Sequence, residues 1–77
     1  MNSVCVLGAG SYGTALAFCL SRNGVRTVLW GRDKQQIESM SISRSNQKYL
    51  PNAIFPDELS VESDVSKAVS NSQDILI

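Results

Sequence analysis

The sequence predicts an α/β protein built on a doubly wound parallel sheet, and three observations support this class. Short apolar runs alternate with longer segments of helical periodicity along the 77 residues. The first apolar run leads directly into a glycine-rich stretch that opens a helix. Strand, helix and strand then succeed one another within about thirty residues, the length of a right-handed βαβ unit. We therefore expect the strand order 3-2-1-4 of a doubly wound half-sheet.

The first strand and the first helix have clear limits. Ser3–Leu7 is a nearly continuous apolar run closed by Gly8, as in a parallel strand covered on both faces. The next segment, Ser11–Arg22, carries apolar residues at helical spacing, namely Ala15, Leu16, Cys19 and Leu20. Asn23-Gly24 follows and supplies the left-handed stop of a helix. The pattern predicts an amphipathic helix that buries these four side chains.

The second strand and the second helix are shorter. Residues 27–30 form a β-rich run closed by Gly31. Residues 33–43 are predicted to be helical, with Asp33 as the N-cap and a thin apolar stripe of Ile37, Met40 and Ile42.

A long connection and a second small βαβ unit complete the chain. Residues 45–58 contain both prolines, and connections longer than about 12 residues are often functional. A third strand over 59–62, a short helix over 64–70 and a fourth strand from Asp74 are predicted to follow. The last residues are apolar and no turn follows them, whereas domain boundaries usually fall in polar, flexible segments. We interpret residues 1–77 as the N-terminal portion of a longer dinucleotide-binding domain.

Composition excludes several classes of function. The formal net charge is zero and 18% of residues are charged, which argues against a nucleic-acid surface. Cys5 and Cys19 lie in apolar runs without a CxxC spacing or any histidine, so both are predicted to be core residues and no metal site is expected. No apolar run approaches the roughly 18 residues of a membrane span, and no basic signal-peptide region precedes Val4. We expect a cytoplasmic protein.

The glycine-rich stretch Gly8-Ala9-Gly10-Ser11-Tyr12-Gly13 matches GxGxxG. The match is weak alone, but it follows a strand and opens a helix within a βαβ unit, which is the context of a Rossmann-type dinucleotide site. Gly8 is expected to make the tight turn, Gly10 to admit a pyrophosphate, and Gly13 to allow close helix packing. The alternative is a structural turn without a ligand.

Two variable positions of this loop are further candidates for cofactor contact. Ser11 can donate its backbone N–H or its hydroxyl to a phosphate, or serve only as a helix cap. Tyr12 can cover the cofactor, or pack partly buried against the protein.

The residues after the second strand bear on which dinucleotide is bound. An acidic side chain there binds the ribose hydroxyls of NAD, whereas an arginine suits the 2′-phosphate of NADP. Arg32 occupies this place and favours NADP, or tolerance of both cofactors; its alternative is a solvated charge. Asp33 is interpreted as a helix cap in preference to a ribose ligand.

Catalytic residues are not predicted in this chain. Reduction of a carbonyl by hydride needs a proton donor, commonly histidine or lysine. The sequence has no histidine, and Lys34, Lys48 and Lys67 lie in polar stretches interpreted as remote from the glycine loop.

With these residues identified, the chain resembles the N-terminus of NAD(P)-dependent glycerol-3-phosphate dehydrogenases over nearly its whole length. The similarity is carried by the glycine loop with Thr14-Ala15-Leu16-Ala17, Val28-Leu29-Trp30-Gly31-Arg32-Asp33, Asn46 to Pro51 (NQKYLP), Phe55-Pro56-Asp57, and Ser72-Gln73-Asp74-Ile75-Leu76-Ile77.

The resemblance implies reduction of dihydroxyacetone phosphate to sn-glycerol 3-phosphate for phospholipid synthesis, by a bacterial cytoplasmic homodimer. It implies cofactor contacts at Ser11, Tyr12 and Arg32, with Tyr49 as a further candidate whose alternative is loop packing. Tyr12 stands where the family more often has tryptophan, so an aromatic ring is kept. The family's catalytic lysines and its helical substrate domain are expected beyond Ile77.

Two alternatives to this enzyme stay open. Another dehydrogenase of the superfamily would share the glycine loop without sharing Trp30-Gly31-Arg32 or Tyr49-Leu50-Pro51. A non-enzymatic module that senses NAD(H) or another nucleotide would instead be expected to form a complete sheet in a stand-alone domain.

Overall fold

The computed structural model describes residues 3–70 and 72–77. Within them, parallel strands form a sheet of order β3-β2-β1-β4, with helices connecting successive strands. The strands are β1 (Ser3–Leu7), β2 (Arg26–Trp30), β3 (Leu59–Glu62) and β4 (Asp74–Leu76). The helices are α1 (Ser11–Arg22), α2 (Lys34–Ser43) and α3 (Val65–Ser70). The predicted α/β class and the strand order 3-2-1-4 are confirmed.

The parallel register brings the ends of three strands to one edge of the sheet. Leu7, the last residue of β1, pairs with Trp30 of β2, and Trp30 pairs with Glu62 of β3. The loops that follow β1 and β2 therefore emerge side by side, and this carboxyl edge is where open α/β sheets bind ligands.

The core lies between the sheet and its helices. Val4, Cys5 and Val6 of β1 are at most 1% exposed, which explains the uninterrupted apolar run in the sequence. Leu29 and Leu59 are fully buried on the neighbouring strands. Burial also raises the pKa of the Cys5 thiol, because the low-dielectric surroundings disfavour a thiolate.

The face that α1 turns to the sheet differs from the predicted one. Its buried residues are Thr14, Ala17 and Ser21, and the Ser21 hydroxyl donates to the Phe18 carbonyl at 3.0 Å. The predicted stripe was wrong in part, since Leu16 and Leu20 are only partly buried and Ala15 and Cys19 are exposed. Cys19 is thus not a core residue.

The start of α1 explains why small residues occupy that face. A Cβ atom at Gly13 would overlap the carbonyl oxygen of Gly8 and lie 3.0 Å from its carbonyl carbon. The helix therefore begins closer to the end of β1 than any side chain at position 13 would permit, and small residues keep the same spacing further along.

Arg44 holds the long connection after α2 to the sheet, a role that the sequence did not reveal. It ends the helix in the left-handed conformation, with φ 56°, and its carbonyl accepts from the Phe55 N–H at 2.6 Å. Its guanidinium donates to the carbonyls of Pro56 and Leu59 at 2.7 Å each, and it lies 6.0 Å from the Phe55 ring centroid. One side chain thereby joins the end of α2 to the start of β3.

We expect Arg44→Met to lower the free energy of local opening around β3 by about 2–3 kcal/mol, because it removes charge-assisted hydrogen bonds to two carbonyls. Methionine has a similar apolar stem, and its Cβ meets the same strain as that of arginine in the left-handed backbone conformation. Amide hydrogen exchange of the β2 and β3 peptides measures the change. The control is Arg26→Met, at an exposed position of β2, and equal protection in both variants would contradict the role assigned to Arg44.

We expect Gly13→Ala to destabilise the protein by about 2 kcal/mol or more, because the new methyl group collides with backbone that cannot rotate away. Thermal unfolding of the variant measures the loss. The matched control is Ala15→Gly, at an exposed position of the same helix, where only the smaller propensity cost of about 1 kcal/mol applies. A Gly13→Ala protein as stable as the unaltered one would show that α1 can shift at no cost.

Candidate functional site

A cleft of about 830 Å³ opens at the carboxyl edge of the sheet, within the size range of small-molecule sites. Its walls are the glycine loop, the segment after β2, one side of α2 and the beginning of the long connection. The lining residues are Gly8, Ala9, Gly10, Trp30, Gly31, Arg32, Asp33, Gln36, Ser39, Met40, Ser43, Ser45, Asn46, Gln47, Lys48 and Tyr49.

Gly8 and Gly10 are glycines for different reasons. Gly8 has φ 121°, which side chains rarely tolerate, and its N–H donates to the Trp30 carbonyl at 2.9 Å. Gly10 has φ −79° and ψ −166°, which any residue can adopt, and no described atom lies within 4 Å of an ideal Cβ there. Neither backbone strain nor packing within the chain requires glycine at position 10. A side chain there would project into open space.

The first turn of α1 begins at Gly10. The first N–H groups of a helix have no partner within the helix, and the N-cap residue here, Gly10, has no side chain to cap them. Together with the helix dipole, they favour an anion next to Gly10.

Ser11 and Tyr12 lie on this first turn, just outside the cleft lining. Both are exposed, and Tyr12 retains 74% of its accessible surface. The partly buried packing considered for Tyr12 is therefore wrong. Its ring is free to lie over a molecule bound at the glycine loop.

After β2, the chain is closely packed at Gly31 and becomes exposed at Arg32. A Cβ at Gly31 would lie 2.9 Å from Cδ1 of Ile37 and 3.0 Å from Cβ of Ala9, so glycine lets α2 and the glycine loop meet there. The indole N–H of Trp30 donates to the Ser63 carbonyl at 2.9 Å. Arg32 follows, exposed and part of the lining.

Asp33 caps α2. One carboxylate oxygen, Oδ1, accepts from the N–H groups of Gln35 and Gln36 at 3.0 and 3.2 Å. The interpretation of Asp33 as a helix cap is confirmed, and these bonds engage the acidic side chain nearest to Arg32.

The beginning of the long connection forms the opposite wall. The Leu50 N–H donates to the Asn46 carbonyl at 2.7 Å, which closes a turn over residues 46–50. Lys48 and Tyr49 line the cleft from this turn, with the Lys48 Nζ 5.1 Å from the Tyr49 ring centroid. Lys48 is thus not remote from the glycine loop, contrary to the sequence interpretation. Tyr49 is 37% exposed, so part of its ring faces solvent.

Asn46 attaches this turn to the glycine loop. Its side-chain amide is buried and donates to Oγ1 of Thr14 at 2.9 Å and to the Ala9 carbonyl at 3.4 Å. Asn46 belongs to the NQKYLP stretch that carries the family resemblance, but no sequence pattern indicated its contacts. Its partners lie 32 and 37 residues away in the chain, beyond the reach of any local pattern.

The charges of the lining suit an anionic ligand. Arg32 and Lys48 are cationic, and the lining carboxylate of Asp33 already accepts two backbone hydrogen bonds. Among residues 3–70 and 72–77, no group of three or more potential ligands is placed to hold a metal ion. None of the helices in that part of the chain has the length and hydropathy needed to span a membrane.

Comparison with known proteins gives concordant matches. A family profile described as NAD-dependent glycerol-3-phosphate dehydrogenase N-terminus matches residues 3–77. The glycerol-3-phosphate dehydrogenase [NAD(P)+] of Colwellia psychrerythraea is 53% identical over 74 residues, which are 96% of this chain and 22% of the relative. The protein of the same name from Pseudoalteromonas translucida is 47% identical over 76 residues, or 99% of this chain and 23% of the relative.

A solved structure agrees with these matches. The crystal structure of glycerol-3-phosphate dehydrogenase (gpsA) from Coxiella burnetii superposes with a TM-score of 0.91 at 36% identity, covering 96% of this chain and 23% of that one. The chain therefore spans between a fifth and a quarter of the length of the relatives it matches. It belongs to the family of NAD-dependent glycerol-3-phosphate dehydrogenase N-termini.

Proposed function

We propose that this chain is the dinucleotide-binding portion of an NAD(P)-dependent glycerol-3-phosphate dehydrogenase. Residues 1–77 form the N-terminal portion of its Rossmann domain, and the residues that hold the substrate belong to the rest of the protein. The observation that carries the proposal is Gly10, a glycine with no conformational or packing requirement at the start of a helix that faces the cleft.

The pyrophosphate of the cofactor fits the glycine loop. Gly8 makes the turn, Gly13 draws α1 onto the end of β1, and Gly10 leaves the approach to the first-turn N–H groups free of a side chain. Ser11 donates to the phosphates from this turn. Tyr12, exposed beside it, covers the bound cofactor.

The adenosine end fits the segment after β2. Arg32 lines the cleft and can pair its guanidinium with a 2′-phosphate through two hydrogen bonds. Asp33 is engaged at the α2 N-terminus and does not compete for the ribose. We propose that NADPH is accepted through Arg32 and that NADH is also bound. Tyr49 contacts the cofactor from the turn over 46–50.

The cofactor supplies the hydride, and the residues of this chain bind and orient it. The reaction proposed for the whole protein is reduction of dihydroxyacetone phosphate to sn-glycerol 3-phosphate, which feeds phospholipid synthesis. The names of the similar proteins and the family profile support it. We assign no proton donor within this chain. The resemblance further supports a cytoplasmic homodimer.

We expect Gly10→Ala and Gly10→Val to weaken NADPH and NADH binding in order of size, by about tenfold or more for valine, because the side chain occupies the approach to α1. Stability should change by no more than about 1 kcal/mol for alanine, since no atom of the described residues packs against a Cβ at this position. Calorimetric titration and thermal unfolding of the full-length gene product measure both quantities.

The control for this series is Gly24→Ala. Gly24 has φ 85°, so alanine there should destabilise the protein while leaving cofactor affinity unchanged. Unaltered affinity in Gly10→Val would contradict a phosphate site at this loop.

We expect Arg32→Ala to weaken NADPH binding about tenfold or more while NADH affinity changes little, because only NADPH carries the 2′-phosphate. The same preparations are assayed for reduction of dihydroxyacetone phosphate with each cofactor. Arg22→Ala, an exposed substitution outside the cleft, is the control. An equal loss for both cofactors would instead place the guanidinium on the adenine. Absence of binding of either cofactor to the unaltered protein would refute the proposed function.

A further inference from the structure

Asn46 lines the cleft and has a deeply buried side-chain amide, which joins parts of the chain that are distant in sequence. Only 2% of its surface is exposed. Its side-chain nitrogen donates to Thr14 Oγ1 at 2.9 Å, while its backbone carbonyl accepts from the Leu50 N–H at 2.7 Å. The side chain therefore binds α1, and the backbone closes the turn over 46–50.

The contact with α1 is made at the turn that begins at Gly10. Thr14 is fully buried, and its own N–H donates to the Gly10 carbonyl at 3.0 Å in the first helical hydrogen bond. The hydrogen bond from Asn46 to the Thr14 hydroxyl therefore restrains the same helical turn that carries the first N–H groups of α1.

The contact with Ala9 has an electrostatic consequence. The Ala9 carbonyl lies between Gly8 and Gly10, and it accepts from the side-chain amides of Asn46 and Gln36 at 3.4 Å each. A carbonyl oxygen in a phosphate-binding loop would repel an anion, and two amide donors offset part of its negative charge. Both donors come from outside the glycine loop, from the connection and from α2.

From these contacts we infer that Asn46 is a positioning residue for the dinucleotide, an inference that rests on the proposed function. It fixes the glycine loop and the wall bearing Lys48 and Tyr49 relative to each other, and it orients the Ala9 carbonyl. Because the pyrophosphate is common to both cofactors, removal of the Asn46 amide weakens NADPH and NADH equally. This equality distinguishes Asn46 from Arg32.

The test is a double-mutant cycle in the full-length gene product with Asn46→Ala, Thr14→Val and the double variant. Valine keeps the volume of Thr14 and removes the acceptor, so it probes the same contact if Asn46→Ala folds poorly. Dissociation constants of NADPH and NADH, the KM for each substrate, kcat and the melting temperature are measured. The matched control is Ala68→Gly, a destabilising change at a buried position of α3 outside the cleft.

Each single variant is expected to weaken both cofactors about 5- to 30-fold, with KM for dihydroxyacetone phosphate and kcat little changed. The double variant should bind no more weakly than Asn46→Ala alone, because that variant already lacks the contact that Thr14→Val removes. Ala68→Gly should lower the melting temperature without changing cofactor affinity. Unchanged affinity in Asn46→Ala and Thr14→Val, losses that multiply, or an equal loss in Ala68→Gly would overturn the inference. If the unaltered protein binds neither cofactor, the proposed function fails together with it.

Discussion

The start of α1 lies so close to the end of β1 that a methyl group at Gly13 would overlap the Gly8 carbonyl oxygen, and much of the structure depends on this approach. It sets the height of α1 above the sheet, and so the small residues Thr14, Ala17 and Ser21 form its buried face. It also brings the positive end of the helix to the carboxyl edge, where the loop after β2 emerges. The same constraint thus shapes the core on one side and the proposed anion site on the other.

Local patterns in the sequence were sufficient to predict the sheet. The unbroken apolar run of β1, the glycine loop and the stop at Gly24 indicated a βαβ unit, and the strand order followed. The buried face of α1 was mispredicted because hydrophobic spacing favours large apolar residues, whereas a helix held this close to a sheet must bury small ones. Cys19 was assigned to the core by the same reasoning and is exposed.

The contacts that assemble the cleft were beyond sequence reasoning for a different reason. Arg44 and Asn46 are polar residues at the start of a connection without periodicity, where a solvated side chain is the usual expectation. Both instead donate to groups far along the chain, Arg44 to the start of β3 and Asn46 to the glycine loop. No spacing rule identifies such partners. Lys48 was therefore interpreted as remote from the glycine loop, although the loop candidates themselves could be named from GxGxxG.

The segment after β2 has a consequence for how the proposed cofactor preference can change during evolution. Gly31 cannot gain a side chain without displacing Ile37 and Ala9, and Asp33 caps α2 with two hydrogen bonds. Arg32, between them, is exposed and lies beside the cleft. The fold thus constrains the residue types at Gly31 and Asp33, whereas it does not constrain the residue type at Arg32. Under the role proposed for Arg32, substitutions at this one position change the cofactor preference without destabilising the fold.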